Sequence, residues 1–503
     1  MKKLLFLVAI LFSFYQINAQ NVGIGTTSPQ ARLHVTDSSV LFSADGVPPG
    51  TSNPPASGAG RRTMWYAGKA AFRTGYVNGT QWNKDSIGLY SFAAGHSNIA
   101  KGVASGSFGA FNNNSGDYSF AAGTGNIASG EYSTAFGLAN SASGNYSFSM
   151  GINSAATAAY AVSIGNTDTA SGNMSVALGF KNKATAWAAF AQGESNLSSG
   201  QYSVSQGLEN TASGLYSSAV GYRSQATGEG SWAQGFDNIA AGNYSFASGN
   251  STLASGAQST ARGIFCNALA DYSLSIGYFN NASGISAVAL GALTTASGGT
   301  SFATGQNTTA SGSYSGANGL FTYAKSNAGF TIGIYNDAGA AGSANSIDGN
   351  NRLFEVGNGI SNVLRNNAFT ILQNGNTGVN TTVPAAGMDI NADLACRQNV
   401  LTLAGGLNSD INAGRYSFVK ITGPAINFSI DGIQGGVDGK VLTLFNLTGT
   451  NMTIVDQTGS ASAPANRINT LEGGVAISTT NNGSVTLQYS AADNRWMVIA
   501  MKE

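Results

Sequence analysis

The 503-residue chain carries 23 basic and 23 acidic residues and has no formal net charge. Charged residues make up only 9% of it, against roughly 25% in ordinary soluble proteins, and no basic stripe is present to hold a phosphate backbone, which excludes nucleic acid as a partner. Its 42% hydrophobic content excludes a disordered chain.

Met1-Lys2-Lys3, the apolar run Leu4 to Tyr15 and the small-residue site Ile17-Asn18-Ala19 read as a signal peptide over residues 1–19. About a dozen apolar residues are too few to span a bilayer. No cysteine follows the cleavage site, no later stretch is long and apolar enough to span as a helix, and no membrane-spanning anchor is seen. The expected destination is extracellular or at the cell surface, outer-membrane-associated. Residues 20–87 read as an N-terminal β cap with a Pro/Gly-rich loop at 43–60. Its opening, from Asn21-Val22-Gly23-Ile24-Gly25 to His34-Val35, returns from Asn376-Thr377-Gly378 to Asp389-Ile390 and so brackets the centre of the chain. Gly23-x-Gly25 lacks the strand–GxGxxG–helix context of a phosphate loop and reads as a turn before a short strand.

Residues 88–337 are an array. From Gly95 to Gly333 a glycine recurs at every fourteenth residue, and a looser ladder (Gly102, Gly116, Gly130, Gly144 and others) sits half a period later. One small supersecondary unit stacked on copies of itself produces such a pattern, because fourteen residues cannot bury a core alone. Each unit holds two short β runs closed by glycine, and both glycines are expected to supply positive φ. At about 4.8 Å per coil the array should reach roughly 80 Å. Alternation puts Ser119, Ala121 and Gly123 on one small face and leaves a large face with Phe120, Phe136, Phe148, Val176, Phe190, Trp232, Phe246, Leu274, Val288 and Phe302. Volumes on that face compensate: Gly106 precedes Phe108, and Thr134 precedes Phe136. A packed face needs this and a solvated stripe does not. These residues are therefore candidates for contacts between copies of the chain.

Units such as Ser175-Val176-Ala177-Leu178-Gly179 followed by Ala184, and Ala287-Val288-Ala289-Leu290-Gly291 followed by Ala296-Ser297-Gly298, resemble the head repeats of YadA-like trimeric autotransporter adhesins. The resemblance covers about half the chain. It implies an all-β, left-handed parallel β-roll and a homotrimer, which makes the ten large residues trimer-interface candidates. The flanking motif is similar to segments of secreted fibre-like and phage tail-fibre-like proteins. The family's coiled-coil stalk and C-terminal barrel would need heptads and lipid-facing strands; neither is found, so membrane insertion is not carried over. Arg262 occupies the second large slot, as do Gln192, Gln206 and Gln234. If that slot faces a three-fold axis, three guanidiniums would meet and require an anion; the alternative is a side chain leaning out to solvent.

Residues 338–395 read as a neck or connector. Residues 396–503 read as a non-repetitive β-rich C-terminal domain, with strands at 441–445, 484–489 and 495–499, serving as a tip for receptor contact or as a trimerisation cap. His34 and His96 lie outside any metal-ligand motif. Gly435-Gly436-Val437-Asp438-Gly439 echoes one calcium-binding turn but stands alone. Cys266 and Cys396 are expected to be unpaired. No catalytic, cofactor or metal site is expected, and the chain reads as no enzyme. The expectation is an exported trimeric fibre, adhesin-like, presenting a β-rich tip to a surface receptor or glycan. The alternatives are a tail-fibre-like glycan-binding or glycan-cleaving protein, and a structural spacer.

Overall fold

The computed structural model describes residues 21–339 and 342–503; the signal peptide expected at 1–19 lies outside them. The chain divides into two compact units that meet in sequence between Asp389 and Ile390. In the first, five-residue strands recur with the sequence period from Phe92–His96 to Phe330–Ile334. They pair in parallel, each residue beside its counterpart fourteen positions on: Phe120, Thr134 and Phe148 form one row and Gly123, Gly137 and Gly151 another. Two-residue strands, from Ile99–Ala100 to Tyr323–Ala324, form a second parallel ladder. The result is a β-solenoid of stacked coils.

The coil is narrow, and its interior shows it. Ala121 and Ala135 from the long strands pack with Ala128 and Ala142 from the short ones, all fully buried. The first glycine ladder behaves as expected: Gly123 has φ +117°, and a Cβ there would overlap the carbonyl of Gly137 on the next coil. The second does not. Gly116 and Gly130 lie outside the positive-φ region, and crowding against the next coil's carbonyl is what restricts them. The left-handed residue of that turn is Tyr132 (φ +56°) or Tyr146 (φ +59°).

A buried polar ladder runs beside the alanines, at Asn98, Asn112, Asn126, Asn140 and every fourteenth residue after them. Asn126 Nδ2 donates to Asn112 Oδ1 (3.0 Å), Ala122 O (3.1 Å) and Gly137 O (2.8 Å). Its own Oδ1 accepts the Asn140 N–H at 3.0 Å and Asn140 Nδ2 at 3.1 Å. Asn182, Asn196 and Asn210 repeat the scheme. Each amide thus ties its coil to both neighbours, which is how a buried polar group becomes stabilising. Ser154 and Thr252 substitute a hydroxyl, and Cys266 a buried free thiol. Asp168 is the exception. Its Oδ1 accepts from Asn182 N (2.7 Å) and Nδ2 (3.1 Å), but its Oδ2 is buried without a hydrogen-bond partner among the described residues. Burial raises its pKa, against the pull of the Asn182 hydrogen bonds.

Charged residues close both ends of this neutral ladder. Ala71–Val77 adds a parallel rung before Phe92–His96, placing Arg73 beside Ala93 on the core side. Arg73 is fully buried and donates to Phe72 O (2.8 Å), Ser91 O (2.9 Å), Ser91 Oγ (2.7 Å) and Ala100 O (3.0 Å). Burial lowers its pKa to about 10. Trp82 Nε1 donates to Asn98 O (3.1 Å), a carbonyl that a preceding coil would otherwise occupy. At the other end Arg352–Asn358 extends the ladder beyond the fourteen-residue period. There Glu355 accepts from Asn367 Nδ2 (2.7 Å), Thr331 Oγ1 (3.0 Å), Arg352 Nη1 (3.1 Å) and Asn336 Nδ2 (3.2 Å). Burial pushes its carboxyl above the usual range despite the Arg352 charge.

The two copies of the flanking motif fold alike. Asn21 Nδ2 donates to Pro29 O and Asn376 Nδ2 to Pro384 O. His34 Nδ1 accepts the Gln30 N–H where Asp389 Oδ2 accepts that of Ala385.

The second unit is also coiled, without a sequence period. Gln398–Thr402, Phe418–Thr422 and Val441–Asn446 pair in parallel in one sheet. Gly406–Asn408, Phe428–Ile430 and Met452–Ile454 do so in another. The antiparallel strands Gly483–Ser490 and Arg495–Lys502 continue the first sheet, and Ile468–Asn469 pairs in parallel at its edge. These wider coils enclose a core of ordinary size, with Ile421, Ile430, Leu444, Met452 and Trp496. The 435–439 turn is structural: Lys440 Nζ donates to Gly435 O (3.2 Å), and Asp438 Oδ1 accepts the Ala491 N–H (2.9 Å).

Two outcomes follow for stability. Asn126→Ala removes an amide shared by three coils and should cost about 2 kcal/mol in urea unfolding. The fold favours the neutral form of Asp168, so the stability this group supplies is present at acid pH and is lost as pH rises through its raised value. Asp168→Asn should match the wild type near the ordinary carboxylate pKa of about 4 and become the more stable protein toward pH about 8, as read by thermal unfolding across pH.

Candidate functional site

With the interior restricted to small residues, every large side chain of the long strands points outward. In each strand the first, third and fifth residues share the outer face, as Phe148, Met150 and Ile152 do. The ribbon is therefore three columns wide. The third column, with Leu138, Ile152, Phe236, Ile264 and Tyr278, escapes a sequence reading centred on the first two. Of the ten interface candidates, Phe136 stands in the middle column and the other nine in the first. Phe120 is 38% exposed, Phe136 50%, Trp232 48% and Phe302 39%, while Phe148, Val176, Phe190, Phe246, Leu274 and Val288 are half-buried, covered only by neighbours within the ribbon.

The columns pack laterally. Phe92 stacks on Phe108 at 5.0 Å between ring centroids, Phe108 meets Phe120 at 5.7 Å, and Trp232 meets Phe246 edge-on at 6.0 Å. Gly106 leaves room for the Phe120 ring, 3.1 Å from where its Cβ would lie, which is the volume compensation seen in the sequence. The outer face of this ribbon is uncovered within the chain and predominantly apolar, interrupted by a few polar residues.

Arg262 lies in the middle column and is exposed, between Thr260 and Ile264 along its strand and between Ser248 and Ile276 across it. Gln206 Nε2 donates to Gln192 Oε1 (3.3 Å) in the same column, and Gln234 is exposed there. A different column, at the turn, carries stacked tyrosines: Tyr118, Tyr132, Tyr146 and Tyr160 lie 4.8 to 5.0 Å apart and nearly parallel.

His96 sits between the rings of Tyr76 (5.1 Å) and Phe111 (4.5 Å), and His34 caps a turn of the flanking motif. The structure does not bring them together. Cys266 is buried and Cys396 exposed, both free. Among the described residues no group of three or more His, Cys, Asp or Glu could hold a metal, and no helix is long and apolar enough to cross a membrane.

Residues 115–139, 142–167, 198–224, 226–252 and 268–294 match the YadA head domain repeat (2 copies). Across residues 115–294 the array thus carries YadA-like head repeats. No curated protein matches the chain.

Proposed function

We propose that this chain, through its YadA-like head repeats, forms an exported homotrimeric adhesin-type fibre in which sister chains cover the outward ribbon. A homotrimer is what the head-repeat family implies. The observation that carries the reading is the ribbon itself, three columns of predominantly apolar side chains, many of them large and partly exposed along the array. A solitary soluble chain tolerates only a few hundred Å² of contiguous apolar surface. Cyclic assembly covers such a ribbon on every chain alike. The segment just before the roll supports the same reading: Leu41 is 84% exposed, Phe42 71% and Val47 85%.

In this account residues 1–19 direct export, 20–87 cap the roll, 88–337 form the fibre body and 338–395 connect it to the C-terminal domain at 396–503. That domain, with its own apolar core and a surface unique in sequence, is the candidate contact for a receptor or glycan, and three copies multiply weak contacts. No residue is assigned a catalytic role.

Phe136→Glu and Val176→Glu each place a charge against a sister chain and should abolish the trimer in sedimentation velocity, leaving smaller or aggregated species; wild-type sedimentation by both would remove the ribbon as the contact. Cells displaying the full chain should attach to the receptor-bearing surface, and deletion of residues 390–503 should reduce attachment at least tenfold, to about the level of cells without the protein. Undiminished attachment would move the contact to the roll.

A further inference from the structure

Arg262 is the one lysine or arginine in the three outward columns of the roll, and no acidic residue stands beside it in those columns. Through the three outward columns, from Phe92–His96 to Phe330–Ile334, the charged members are Glu194 and Arg262 and the other titratable ones are His96, Tyr222 and Tyr278; the remainder are apolar or neutral polar. Arg262 makes no hydrogen bond or salt bridge within the chain among the described contacts. It stands in the middle column, as far from the ribbon's edges as a residue can be. Its cross-strand neighbours are Ser248, which is small, and Ile276, which is apolar.

Resting on the trimeric reading above, we propose that the three Arg262 side chains of the assembled fibre bind a small inorganic anion. In a cyclic trimer of parallel, in-register rolls, equivalent residues lie at one height. The only acidic residue of the ribbon, Glu194, is five coils away from Arg262, about 24 Å at the strand-to-strand spacing, so the ribbon of a sister chain in register offers no carboxylate at the height of this guanidinium, and Asp237 and Asp271 belong to the turns beside the ribbon. Covering the ribbon would then bury three like charges together, an arrangement that costs several kcal/mol per ion unless compensated. An anion supplies the missing charge, and guanidinium groups bind halides and oxyanions through charge-assisted hydrogen bonds. Ser248, one coil away, leaves space beside the guanidinium. The polar run Gln192, Gln206 and Gln234 in the same column marks this stretch as the part of the ribbon least suited to a dry apolar seam.

The test uses the full chain and the variant Arg262→Met, each moved into a buffer whose only anion is bulky and organic. Sodium chloride or sodium sulfate is then added at constant ionic strength, and assembly mass and thermal unfolding are followed together. The wild-type trimer should gain about 2 °C or more in a saturable manner. Arg262→Met should remain trimeric, show no such gain, and exceed the wild type in the anion-free buffer. Bromide should give an anomalous diffraction peak on the three-fold axis at the height of residue 262. Equal anion responses in the two proteins, or a trimer with Arg262 turned to solvent and no axial peak, would overturn the site and leave the trimer standing. A wild type that is monomeric in every buffer would instead remove the reading on which the site rests.

Discussion

The whole first unit depends on how little room a fourteen-residue coil encloses. Two strands and two turns bring the facing sheets so close that the interior of the coils admits alanine, serine, cysteine, threonine, asparagine and one aspartate and nothing larger. Burying alanine yields little hydrophobic stabilisation per residue, so the coils rely on hydrogen bonds for much of their cohesion. Strand pairing supplies most of these, and the asparagine ladder adds side-chain bonds that cross from coil to coil. The same narrowness expels every phenylalanine, leucine and tryptophan from the inside. Cohesion within the chain and the apolar ribbon outside it therefore have one geometric cause.

A stacked ladder must also end. Arg73 and Trp82 at the start, and Glu355 with Arg352 and Asn367 at the finish, put strong donors and acceptors where a next coil is missing. These are buried charges in a chain that has few, and Arg73 and Glu355 each hold four hydrogen bonds. They limit growth of the ladder by edge-to-edge pairing, a hazard for any open parallel stack. The wide coils of the second unit solve the burial problem differently, with a core of isoleucine, leucine and tryptophan that needs no sister chain to cover it.

Much of this was legible in the residues. The period fixes the stacking unit, the glycines mark the first turn, and alternation separates Ala121 from Phe120 correctly. The asparagine ladder was missed although its signal is present: every fourteenth position from Asn98 is an amide, a hydroxyl, a thiol or one carboxylate, never a large residue. The third outward column was missed because the residue after the glycine looks like part of the turn. The second glycine ladder was assigned the wrong cause, since glycine is required by close backbone approach as readily as by positive φ. Arg73 and Glu355 were beyond reach, for both lie outside the repeat in segments whose register only the fold reveals. The second unit hid its coils because their lengths differ and no residue recurs in phase.

The central claim is that the bulky columns are stable in water only as a seam between chains. Its most direct test is the mass of the secreted protein by light scattering at submicromolar concentration. Three times the 51.0 kDa of one chain, less the export signals, is the predicted value. A folded, soluble species of one chain's mass, persisting on further dilution with Trp232 shielded from quenchers, would contradict it.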